Sequence, residues 1–284
     1  MATAAPRRRR ARRSGGADLV RLVVLTLFLV FVLVPLYWMV MTSVKPTSDY
    51  MTIPPVWFPK EPTLVHYTAA LFSYRGLQGL TNSLIVASAA TVLSSLLGTM
   101  MAYSLARFNT GGQHLAFWVL SQRFLPPVAI ILPIFLLFRG WGLYDTHVGL
   151  ILIYTFMTLP LTVWMMYAYF RQLPRSLEEA ALVDGASTRT VFLEIVLPMV
   201  TPGIAATAIL CFLYAWNDFF FALILTRTNA RTAPVAVVNF MNYEGWEWGR
   251  IAAGGTMIML PVLVFSFLVR RYLVHGLTGG ALKG

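Results

Sequence analysis

The sequence predicts an all-α integral membrane protein with six transmembrane helices and one polar helical loop set between two of them. Three observations carry this. The chain has 284 residues, 58% hydrophobic and 12% charged, where a soluble domain carries about 25% charged residues. The apolar residues come in blocks long enough to cross a hydrocarbon core, which takes about 20 helical residues. Between two such blocks, residues 174–199 form a polar island of strong helix formers.

Residues 1–18 are a basic tail with Arg7, Arg8, Arg9, Arg10, Arg12 and Arg13. The first span, 19–42, is too long for a signal h-region and no small-x-small cleavage site follows, so it reads as a retained anchor. The 43–81 loop contains Pro46, Pro54, Pro55, Pro59 and Pro62 and reads as extended, ending in a short amphipathic piece around His66 to Phe72. The second span is 82–105, and the third, 115–138, contains Pro126, Pro127 and Pro133. Pro160 interrupts the fourth, 147–170. Proline removes a backbone donor and bends a helix. In lipid such breaks survive where protein or a cavity satisfies the freed carbonyls, so the third and fourth spans are predicted to face protein or a pathway. The fifth span is 201–225 and the sixth 251–272. The loop between them carries Val235, Val237, Val238, Phe240, Met241, Trp246 and Trp248, and so many apolar residues predict a partner surface. The whole reads as one membrane domain, 19–275, followed by a tail at 276–284.

Charge orients the chain. With the N-terminus inside, the inner segments hold 14 Lys and Arg and the outer segments 7, with Arg123 inside a span. That excess predicts both termini, and the 174–199 loop, in the cytoplasm.

Within that loop Pro174 and Ser176 sit where a helix would start, with Glu178 and Glu179 in its first turn, suited to the helix dipole. Ala180, Ala181 and Leu182 continue it. Gly185 then allows a sharp turn or a close backbone approach. A second helical stretch carries Phe192, Ile195 and Val196 on one stripe, and Pro198 is expected to end it before the fifth span begins. The product would be a compact helix-turn-helix tied at both ends to membrane helices.

The skeleton Glu179-Ala180-Ala181, Asp184-Gly185, then Ile195-x-Leu197-Pro198 resembles the coupling loop of the membrane subunits of ATP-binding-cassette importers. The resemblance extends over most of the chain. Asn82-Ser83-Leu84, Trp216-Asn217-Asp218-Phe219, Ala252-Ala253-Gly254 and the closing Gly276-Leu277-Thr278-Gly279-Gly280-Ala281-Leu282-Lys283-Gly284 look like maltose-type carbohydrate permeases of the MalG kind. It implies a type I importer permease fold, in the bacterial cytoplasmic (inner) membrane, whose loop docks on a separate ATPase. It implies further partners: a second permease subunit forming a heterodimer, an extracytoplasmic solute-binding protein and the lipid bilayer. ATP and Mg would be bound by the ATPase, and this chain would carry no cofactor and no catalytic residue. The cargo would be a sugar or polyol moved by alternating access. In that family the C-terminal tail reaches toward the ATPase; a frayed terminus is the other reading of residues 276–284. The arginine-rich tail lies outside the family pattern.

Six residues are candidates for the translocation pathway. Arg123, with Gln122 beside it, is a charge within a span, costly unless paired or wet. It faces either the route or an ion-pair partner, and Asp218 is one such partner. Tyr214, Trp216, Asn217 and Asp218 combine aromatic faces with carboxylate and amide groups, the chemistry that binds sugars. An aromatic girdle at the membrane interface is the alternative.

Other classes fit less well. None of Lys45, Lys60 and Lys283 follows a G-x-x-x-x-G stretch, so the chain has no P-loop. His66, His114, His147 and His275 are scattered and predict no metal. The basic tail precedes a span, which suits membrane orientation and not nucleic acid. Cys211 is a lone apolar-span cysteine. An ion-coupled secondary transporter would rest on Asp218 and would leave the polar loop unexplained.

Overall fold

The structure, a computed structural model, describes residues 15–73, 75–242 and 245–278. Its helices run in the order α1 (Gly15–Val44), α2 (Val65–Thr68), α3 (Gly76–Phe108), α4 (Gly112–Ser121), α5 (Pro127–Gly140) and α6 (His147–Gln172). They continue with α7 (Arg175–Val183), α8 (Thr188–Thr190), α9 (Leu197–Asn217), α10 (Phe220–Leu225), α11 (Ala233–Val237) and α12 (Trp248–Thr278). Two two-residue strands, β1 (Met241–Asn242) and β2 (Gly245–Trp246), pair antiparallel. Residues 1–14 and 279–284, and with them most of the basic and C-terminal tails, lie outside the described residues.

Five helices are long and apolar enough to cross a membrane, and a sixth crossing is a bent pair. The predicted third span is that pair: His114–Phe124 and Pro127–Gly140 meet at 93°. The break has a local cause. A residue before proline is pushed out of the helical region, and Leu125 and Pro126 are both extended, with ψ 117° and 128°. Pro127 then starts α5 at a position where a missing N–H costs nothing. Within this chain one face of the crossing is open: Phe117, Trp118, Val128, Leu132 and Leu136 are exposed, and Val119, Ile131 and Phe138 form its buried edge.

The centre is α3, packed on α6 and α9. Small side chains let the backbones approach, as in membrane bundles generally. A Cβ at Gly98 would lie 2.6 Å from Thr162. Beside it the hydroxyls of Ser94 and Thr162 bond at 2.9 Å, and Thr162 meets the Cys211 sulfur at 3.2 Å. By contrast α1 exposes residues 18–36 throughout and joins α12 beyond them.

Polar clasps close the face that carries the 43–81 loop. Asn82 donates to the carbonyls of Asn229 (2.8 Å) and Arg231 (2.9 Å), so its oxygen is left to accept from His147 Nε2 at 2.8 Å. Ser83 accepts from the Ala233 amide. Asp145 takes the backbone N–H groups of Arg227, Thr228, Asn229 and Ala230 at 2.9–3.2 Å. The apolar 226–250 loop is therefore folded inward. Val235 and Phe240 are buried, and a Cβ on Gly254 would strike Val237 at 2.8 Å. The predicted partner surface is narrowed on this point: α11 fills a groove between α3 and α12, and Val235 and Phe240 enter the core, while Val238 and Trp248 stay exposed.

Candidate functional site

Most of the predicted residues fall into two groups, one at each end of α9, while Gln122 and Arg123 lie apart in the turn between α4 and α5. Nineteen residues of helix separate Pro198 from Asn217, about 28 Å at 1.5 Å per residue.

The first group is the polar loop. Helix α7 ends as the sequence suggests. Gly185 has φ +89°, a conformation open to glycine, and the Ala186 and Gly185 amides bond back to Ala181 (3.0 Å) and Leu182 (3.1 Å). This is the Schellman closure, with Ala181 and Ala186 as its small apolar contact. Of the two readings of Gly185, the turn is the one realised: a Cβ there would touch nothing within 4 Å. Ser187 then caps α8 through the Thr190 amide.

Pro198 does not end the second helix, which corrects the expected helix-turn-helix. The chain is helical from Thr188 to Asn217. A π-helical turn, Val191–Val196, widens the helix just before Pro198, where the proline ring would otherwise crowd a preceding carbonyl. The loop is thus a rigid continuation of the fifth span.

Its inner face is bolted to the bundle. Buried Glu178 accepts from Arg107 Nε at 2.6 Å and from the Tyr103 hydroxyl at 2.9 Å. Arg107 also donates to the Leu173 carbonyl, and Arg175 to that of Ala106. The Tyr103 ring lies 4.7 Å from Phe192 and 5.4 Å from Phe170. Ile195 and Leu197 are half-buried. The outer face holds Glu179, Ala180, Asp184, Gly185 and Pro198, all exposed, with Leu177, Leu182 and Val183. Val183 is 87% exposed. Apolar side chains presented this way on a rigid support mark an interaction surface.

The family model described as the binding-protein-dependent transport system inner membrane component matches residues 94–278. The chain belongs to this family. Among its relatives is the trehalose transport permease SugB of Mycobacterium tuberculosis, 38% identical over 91% of this chain and 95% of that protein. The trehalose/maltose permease MalG of Thermococcus litoralis is 33% identical over 91% and 94%. The diacetylchitobiose uptake permease DasC of Streptomyces coelicolor is 32% identical over 92% and 95%. A chain of a bacterial importer of the acidic polysaccharide alginate superimposes with a TM-score of 0.78 over 95% of this chain and 99% of that one. At 21% identity that likeness establishes the fold, a type I importer permease.

In this permease the second group lies where the fifth span breaks. Asp218 has extended geometry and its Oδ2 accepts from the Phe221 and Ala222 amides at 3.0 and 3.2 Å, so it caps α10. It also accepts from the Tyr154 hydroxyl at 2.9 Å. Asn217 is exposed and returns its amide to the Leu213 carbonyl of its own helix. Trp216 does not face a pathway: it is 2% exposed, stacks on Phe212 and donates to the Ile258 carbonyl, tying α9 to α12. Tyr214 is half-buried.

Arg123 sits in the tight turn Gln122–Phe124 between α4 and α5, inside the bent third crossing, and is exposed. It lies within electrostatic reach of Tyr214 and Cys211. No ion pair joins it to Asp218 among the described residues. Gln122 bonds the Trp118 carbonyl of its own helix.

Sequence reasoning missed Glu178 and Tyr154. Glu178 lies three residues before Ala181, on the same helical face, and the apolar surroundings of that face were the available signal. A tyrosine amid an apolar span needs a partner for its hydroxyl, which pointed to a nearby acceptor.

Proposed function

We propose that this chain forms one half of the translocation pathway of a binding-protein-dependent importer of a sugar or polyol. The observation that carries it is the rigid loop: exposed Leu177, Leu182 and Val183 on a support locked by Glu178, Arg107 and Tyr103 and continuous with the fifth span. This surface docks on a separate ATPase, which binds ATP and Mg. A second, different permease supplies the other half of the pathway, and an extracytoplasmic binding protein delivers cargo. The loop and both termini lie in the cytoplasm, in line with the excess of Lys and Arg on that side. Arg123, Gln122, Tyr214 and Asn217 are the polar groups assigned to the pathway, while Asp218 shapes it from behind. The carbohydrate class rests on relatives named for trehalose, maltose and diacetylchitobiose.

The test is composition. Extracted gently from its native membrane, the protein should bring with it an ATP-binding-cassette ATPase and a second permease in stoichiometric amounts by mass spectrometry. Recovery alone or as a homo-oligomer would overturn the assignment.

A further inference from the structure

A cavity of about 280 Å3 lies at the end of α1 next to the 43–81 loop, lined by Trp38, Thr42, Lys45, Tyr50, Met51 and Trp248. Lys45 follows the last residue of the apolar span, so it sits at the depth of the lipid headgroups. Tryptophan and tyrosine favour that depth. Yet Lys45 is 2% exposed, its Nζ 3.8 Å from the centre of the Trp38 ring.

The ammonium is poorly satisfied there. It has three donors, and a ring face offsets only part of what desolvation costs. No carboxylate reaches ion-pair distance among the described residues. Asp49 acts on it at longer range, while accepting from the Ser48 hydroxyl. The Tyr50 hydroxyl is engaged by His66 and the Lys45 carbonyl. Thr42 adds a buried hydroxyl oxygen with no hydrogen-bond partner. Burial lowers the Lys45 pKa and Asp49 partly restores it.

We propose that this cavity binds the phosphate of an anionic phospholipid, with Lys45 and Thr42 as its donors and the two tryptophans against the glycerol and upper acyl chain. The site calls for an oxyanion on an amphipathic body. A choline headgroup suits it less, because the Lys45 ammonium already covers the Trp38 face that would receive a cation.

The experiment uses the full chain with its co-purifying subunits in nanodiscs of mixed phosphatidylglycerol and phosphatidylcholine. Native mass spectrometry reads the lipids retained as collision energy rises. Wild type should keep phosphatidylglycerol in preference to phosphatidylcholine. Lys45→Gln should reduce that retention about tenfold, the scale of one charge-assisted bond. Thr42→Val, nearly isosteric and so kept folded, should reduce it by a smaller factor. Equal retention by wild type and both variants would overturn the proposal, as would indifference to headgroup. Displacement of the lipid by millimolar inorganic phosphate would reassign the cavity to a soluble anion.

Discussion

Glu178 stands where two elements meet, taking the Arg107 guanidinium and the Tyr103 hydroxyl of α3 onto α7. Both charged side chains are nearly closed off, at 7% and 11% exposure. A buried pair contributes little against an apolar replacement, but removing one partner strands the other. Glu178→Ala should therefore cost about 3 kcal/mol, read as a lowered melting temperature in nanodiscs. Replacing both residues by apolar ones, with Arg107→Met added, should recover much of the loss. An unchanged melting temperature for Glu178→Ala would show that the loop is held by other contacts. Asp145 offers a second test. Burial alone would raise its pKa, but four backbone N–H donors win and hold it at about 2. A depressed carboxylate stabilises the fold above its unfolded pKa of about 3.9 and loses that contribution as pH falls through about 2. Asp145→Asn should melt below wild type at neutral pH, and the two curves should converge as pH approaches 2. Parallel curves at every pH would contradict the assignment.

At the scale of elements, the turn at Gly185 separates two effects that a single substitution would confuse. With φ +89°, a side chain there is strained by about 1–3 kcal/mol, but nothing in this chain lies within 4 Å of it. Asparagine tolerates positive φ better than most residues. Gly185→Asn should thus leave the permease inserted and near its normal melting temperature while uptake falls steeply, and Gly185→Asp should do the same with greater strain. Normal uptake in the folded Asn variant would mean that no partner packs against this turn. The turn was legible in the sequence because glycine, alanine and helix propensity are local signals. The fate of Pro198 was not, because a π-helical turn that accommodates proline depends on the neighbouring helices. The inward folding of Val235 and Phe240 was hidden for the same reason: it needs the groove left by Gly79 and Gly254 across three elements. The number of spans was legible from length and hydropathy, but not the angle at Leu125, which proline flags without giving its size, nor the fifth span, expected over 201–225, whose helix starts at Thr188 and ends at Asn217.

Across the whole molecule, the continuous helical run Thr188–Asn217, with its π-helical turn at Val191–Val196, joins the loop to the break at Asp218. Its 30 residues span about 45 Å, more than a hydrocarbon core, so one helical run connects the loop to the far side of the bilayer. The break is where that run ends, and Asp218 is what holds it, through Tyr154 and the α10 amides. This separates the two transport mechanisms the sequence left open. If Asp218 carried a coupling ion, a neutral amide would abolish uptake. If it caps α10, asparagine serves almost as well, since the two are equivalent N-caps and both keep an acceptor for the Tyr154 hydroxyl. Asp218→Asn should therefore retain uptake within a few-fold, still requiring ATP and still indifferent to a protonophore. Asp218→Ala should fail by destabilisation, because it orphans a buried hydroxyl and two helix amides at a cost of about 1–3 kcal/mol for each unsatisfied group. Measured together in vesicles with and without internal ATP, an asparagine variant that assembles normally but cannot transport would return the carboxylate to the pathway. A transporting one fixes Asp218 as the pivot on which ATP-driven movement of the loop turns.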